Sequence, residues 1–171
     1  MRYDITKVRR QDRLLEESRA LELLAGGEFG FLALAGGDDN SGYGVPLSYV
    51  FDGEDIWFHC APEGEKLRRI ECSNRATFCV VGHTNVLPDK FSTLYESVMA
   101  SGCIEVIEDE DTKLKALALL VAKYSPGYAD AGAKYARVSL ARTTILRFRI
   151  DAVSGKCKRS ARLPQERLQQ E

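Results

Sequence analysis

No stretch of this 171-residue sequence approaches the roughly 20 apolar residues of a membrane-spanning helix. Residues 1–13 are polar and hold no apolar signal-peptide segment, so a cytoplasmic protein with no membrane partner is expected. An excess of one charge is missing too. Lys and Arg number 24 against 25 Asp and Glu, a formal net charge of −1, which gives no bulk attraction to nucleic acid or to a membrane surface. The five cysteines, Cys60, Cys72, Cys79, Cys103 and Cys157, are odd in number, and no pair has zinc-type spacing. Cys60, Cys79 and Cys103 fall in apolar runs and read as small hydrophobes rather than metal ligands or redox partners. There is no P-loop and no dinucleotide-binding glycine fingerprint. Strands and helices do not alternate in a βαβ rhythm, which argues against a doubly wound sheet.

The chain suffices for one domain, 1–171, with a substantial core over about 10–160. Leu14, Leu15, Leu21 and Leu24 recur at helical spacing over 13–24, with Asp12 as N-cap and Gly26-Gly27 as the stop. Phe29 to Ala35 reads as a strand, Gly36 to Gly42 as a loop, and Tyr43 to Phe51 as a strand that Pro46 confines to an edge or a bulge. Asp52-Gly53 signals a hairpin turn. Ile56 to Cys60 and Arg75 to Val81 are further strands, and His83 to Ser92 reads as a loop or flap. Tyr95 to Ile107 is a long strand with a bend at Gly102. A helix over 112–123 ends at Ser125-Pro126-Gly127, 128–142 is ambiguous, Thr143 to Val153 is the last strand, and 155–171 is a basic tail. Several short strands, hairpin signals and three helices predict a mainly β, mostly antiparallel barrel with peripheral helices.

The chemistry concentrates at Ile56 to Ile70. Pro62 and Gly64 break the strand, and Leu67 and Ile70 then open a helix carrying Lys66, Arg68 and Arg69. Free N–H groups and the helix dipole favour an anion there. Two readings fit these residues equally, a phosphate seat and a surface turn with solvated charges. The residues alone stop at an anion site without an identity.

The run His59-Cys60-Ala61-x-x-Gly64-x-Lys66 resembles the His-Ser-Ala-x-x-Gly-x-Lys signature of the pyridoxamine 5′-phosphate oxidase-like flavoproteins, and within them the nitroimidazole-resistance branch. Helix one followed by Gly-Phe-Leu-Ala-Leu, then Val45-Pro46-Leu47-Ser48-Tyr49, Tyr95-x-Ser97-Val98 with Gly102 and Glu105, and the end at 151–156 match in order over roughly 10–160. The resemblance implies a split β-barrel homodimer with FMN at the subunit interface. It implies a cofactor site of Val45, Pro46, Leu47, Ser48, Phe58, His59, Cys60, Ala61, Lys66, Ser97 and Val98, with Lys66 on the phosphate and His59 as the candidate catalytic group. Cys60 replaces the family's hydroxyl, and Glu65 replaces an arginine of the oxidases. The oxidases' C-terminal arginine-histidine segment has no match in 155–171. The implied function is an FMN-dependent oxidoreductase acting on a small-molecule electron acceptor. Alternatives are a non-catalytic FMN- or haem-binding protein on the same barrel, or an interaction domain with an empty site.

Overall fold

A computed structural model describes residues 1–6, 8–35 and 41–159. The strands are β1 (Arg2–Tyr3), β2 (Phe29–Leu34), β3 (Tyr43–Ser48), β4 (Val50–Phe51), β5 (Asp55–Cys60), β6 (Arg75–Leu87), β7 (Ser92–Ile107) and β8 (Thr144–Lys158). The helices are α1 (Glu17–Gly26), α2 (Glu65–Cys72), α3 (Glu110–Tyr124) and α4 (Ala129–Ser139). One sheet runs in the order β3-β2-β6-β7-β8-β5-β4, antiparallel throughout, with β1 added parallel to β8. Its two ends, β3 and β4, are separated in the chain by Tyr49 alone. The sheet therefore curls until its edges lie one residue apart along the chain, without a hydrogen-bonded ladder between them: a split barrel. β8 is the link that joins β5-β4 to the rest.

Alternation explains the inside. On β2 the pattern is Leu32 and Leu34 inward, Phe29, Phe31 and Ala33 outward. Tyr49, Phe58, Phe78 and Phe148 are the largest fully buried side chains. Phe78 meets Tyr49 edge-on at 4.7 Å and Phe58 at 5.1 Å between ring centroids. A second cluster lies outside the barrel, where Ala116, Leu117 and Leu120 of α3 and Ala136 of α4 cover Trp57 and Ile145. Tyr124 ties this layer down: its hydroxyl accepts from the Tyr49 N–H at 2.8 Å and reaches the Tyr49 carbonyl at 2.7 Å.

Several sequence expectations hold. Pro46 sits on an edge strand, and Asp52 closes the β4–β5 turn by accepting from the N–H groups of Glu54 and Asp55 at 2.9 and 2.7 Å. The β7–β8 register shifts between Ser101 and Gly102, at the expected bend. Others need correction. The first helix starts at Glu17, without a side-chain cap, because Leu14 and Leu15 are drawn off to pair with Lys156 and Gly155 of β8. Asp12 instead faces Arg10 at 2.6 Å. The expected loop at 83–92 is a hairpin arm in which β6 and β7 pair out to Leu87 and Ser92, turned by Pro88–Lys90. The expected tail begins later, since residues 155–158 belong to β8. The residues from 160 onward, and most of the expected 36–42 loop, lie outside the described residues.

Candidate functional site

The turn after β5 has the geometry its sequence implies. Gly64 takes φ 129°, a conformation that an L side chain rarely adopts, and α2 starts at once on Glu65. No side chain caps α2, so its first N–H groups are open to an anion. The basic side chains divide. Arg69 turns inward, is 7% exposed, and binds Glu65 at 2.5 Å and Ser41. Arg68 is exposed and also bonds Glu65, at 2.8 Å. The expectation of three cations around one seat is thus corrected: Glu65 holds two of them. Lys66 makes no ion pair with a described residue, and its charge acts on both His59 and Cys60.

His59 and Cys60 end β5 at the mouth of a groove of about 960 Å3. The sheet end supplies Ser48, His59, Cys60 and Ala61, and the facing wall is α3 and α4 with Tyr124, Tyr128 and Tyr135. His59 is exposed along the groove, yet the surrounding protein and the Lys66 charge push its pKa below the usual imidazole range. Near pH 7 it is a neutral ring with one donor and one acceptor nitrogen. Burial pushes the half-buried Cys60 thiol up, against the pull of Lys66. Cys60 is therefore a neutral thiol in this setting.

The other expected site residues are not brought to this groove. Val45 and Leu47 are half-buried and pack against the core. Phe58 and Val98 are fully buried there. Alternation sends these side chains inward, so any contact they make outside the core runs through their backbone. Pro46 and Ser97 lie on the outer face of the sheet. Ser97 pairs with Lys156 at one end of β8, whereas Cys60 pairs with Thr144 at the other. Twelve residues of strand separate those partners, roughly 40 Å if straight. Within one chain the expected set divides into the groove residues Ser48, His59, Cys60 and Ala61 with Lys66 on the adjoining turn, the inward-facing Val45, Leu47, Phe58 and Val98, and the outer-face Pro46 and Ser97.

That outer face is apolar. The register lines up Pro46, Phe31, Cys79, Met99 and Ser154 across five neighbouring strands. Phe29 is 62%, Phe31 49%, Met99 48% and Val81 62% exposed. The groove wall of tyrosines and Arg142 was missed from sequence, because 128–142 gave no clear period. The signal available was Tyr124, Tyr128 and Tyr135 standing among small residues.

An antiparallel split barrel with an anion-seating turn at the end of β5 defines a class. The chain belongs to the pyridoxamine 5′-phosphate oxidase family, whose model matches residues 16–157. Solved structures share the fold. One, from Bacteroides thetaiotaomicron, is named for 5-nitroimidazole antibiotic resistance; it is 19% identical over 85% of this chain and 86% of that one, with a TM-score of 0.68. The FAD and haem binding protein of Mycobacterium smegmatis is 23% identical over 85% and 72%, with a TM-score of 0.71. A flavocytochrome of Azotobacter vinelandii is 19% identical over 88% and 71%, with a TM-score of 0.68. No curated protein sequence matches this chain.

Proposed function

We propose that this protein binds FMN in a site shared by two copies of the chain and uses it to reduce a small electron acceptor. The observation that carries the reading is the uncapped turn at Gly64, with Lys66 left without an acidic partner among the described residues, beside a roomy groove. That is a seat for one phosphate, and the described residues offer no second glycine-rich turn for a pyrophosphate. FMN is therefore favoured over FAD. The second copy follows from the split site: Ser97 and Met99 reach a groove only from another subunit, and the apolar outer face offers the surface for it.

The flavin supplies the redox chemistry when bound. Lys66 and the first N–H groups of α2 hold its phosphate. Ser48 and neutral His59 stand where polar contacts to a flat ring are needed, with His59 able to hold or release a proton at its groove-side nitrogen. The α3–α4 wall keeps water from one side of the groove.

The test is titration of purified protein with FMN and with FAD, followed by flavin fluorescence, then turnover with a reduced nicotinamide and an acceptor. FMN binding at least as tight as FAD, with steady turnover, is expected. A protein that ignores both flavins would sink the reading. The absence of any carboxylate or lysine among the groove residues favours a second reading, a flavin or haem carrier. Tight binding without turnover would select it.

A further inference from the structure

None of the residues lining the groove is Asp or Glu, in a chain with 25 of them. Its rim carries Arg142, two residues before the Thr144 that pairs with Cys60, and the Arg142 Nη2 donates to the Tyr135 hydroxyl at 3.3 Å. The guanidinium lies 5.8 Å from the Tyr135 ring centroid. Arg142 has no carboxylate partner among the described residues, and most of its donors are unused. Tyr128 and Tyr135 also line the groove, yet are 73% and 65% exposed. Between them α4 adds the small residues Ala131 and Gly132 to the lining, and Gly132 lets α4 close on Val121 of α3, whose Cγ1 would lie 2.6 Å from a Cβ there. An apolar slot with one convergent charge is the usual form of a small-molecule site.

We propose that the α3–α4 wall of the groove binds a planar aromatic carboxylate, with Arg142 on the carboxylate and Tyr135 against the ring. A guanidinium fork matches a carboxylate in two parallel hydrogen bonds. Arg142 is the one Lys or Arg among the groove residues, which suits a ligand with one negative charge. As the electron acceptor of a flavin reaction the ligand rests on the reading above; as a ligand it stands on the groove alone.

The experiment compares 4-aminobenzoate with 4-aminobenzamide, alike in shape and different in charge, by NMR titration of the whole protein. Wild type is expected to bind the benzoate about tenfold more tightly, the gain of one charge-assisted pair at an open site. Arg142→Gln should remove that difference and leave the amide unchanged, and Arg142→Lys should restore part of it. Equal binding of the two probes by wild type, or a preference that survives Arg142→Gln, overturns the proposal. FMN titration of the same proteins separates the two readings. If Arg142→Gln weakens FMN as much as the benzoate, Arg142 belongs to the cofactor and the proposal fails. If wild type prefers the benzoate but takes up no flavin, the site stands and the flavin reading falls.

Discussion

Lys66 and Glu65 differ by one position and have opposite tasks. Glu65 accepts from both Arg68 and Arg69, which holds its own carboxyl below the usual range and removes both guanidinium groups from the seat. Lys66→Ala is therefore expected to lower FMN affinity by roughly ten- to hundredfold, at the upper end because neither arginine is free to substitute. Flavin fluorescence titration measures it, with urea unfolding of both apo proteins expected to agree. His59 carries a pH prediction. Its folded pKa lies below the unfolded value near 6.5. The unfolded chain therefore binds more protons between those two values, and stability is lost as pH falls through that window. The urea midpoint of the apo protein should drop from pH 7.5 to 5.5, and His59→Gln should show a smaller drop. An equal drop in the variant would clear His59 of any part in it.

Elements were legible where a local signal decides them. Asp52-Gly53, the proline on the edge strand and the glycine bend in β7 all act through backbone geometry that one or two residues impose. The hairpin arm at 83–92 was not legible. Its strands are exposed on both faces, so no alternation marks them, and they form by pairing alone. The start of α1 failed for a related reason: Leu14 and Leu15 fit a helical period, but a strand 140 residues away offers them better partners. At the site, the turn and Lys66 could be read locally, whereas the groove depends on how α3 and α4 fold back over the sheet. The bend supports a sharp prediction. A Cβ on Gly102 would lie 1.9 Å from the Arg149 carbonyl oxygen, and backbone cannot swing aside. Gly102→Ala should cost at least about 2 kcal/mol in urea unfolding, since the β7–β8 ladder must shift. Gly26→Ala is the control: nothing lies within 4 Å of its Cβ, and it should be neutral or stabilising by a few tenths of a kcal/mol up to about 1.

At the scale of the whole molecule, the apolar outer face is the surface that the shared-site proposal assigns to a second copy. A charge at Met99, in the middle of the Pro46–Phe31–Cys79–Met99 row, should not disturb the folded chain, because the side chain is half exposed. Met99→Glu is expected to convert a dimer into a monomer at micromolar concentration by light scattering. Val138→Glu, on the far side of α4 and 81% exposed, should leave the mass unchanged. A monomeric wild type would end the shared-site proposal. The seat of β8 in the sheet has a consequence for biosynthesis. Residues 29–107 can assemble β3-β2-β6-β7, while β4 and β5 must wait, because among the described residues their only other neighbour in the sheet is β8, made after all the other described strands. Until Thr144–Lys158 leaves the ribosome, the growing chain carries two unsatisfied strand edges beside apolar faces, the kind of surface that nascent-chain chaperones shield and that aggregates when synthesis stalls. Slowing translation between codons 107 and 144 would lengthen that exposure, so the yield of folded protein should be more sensitive to pauses there than to pauses before β6.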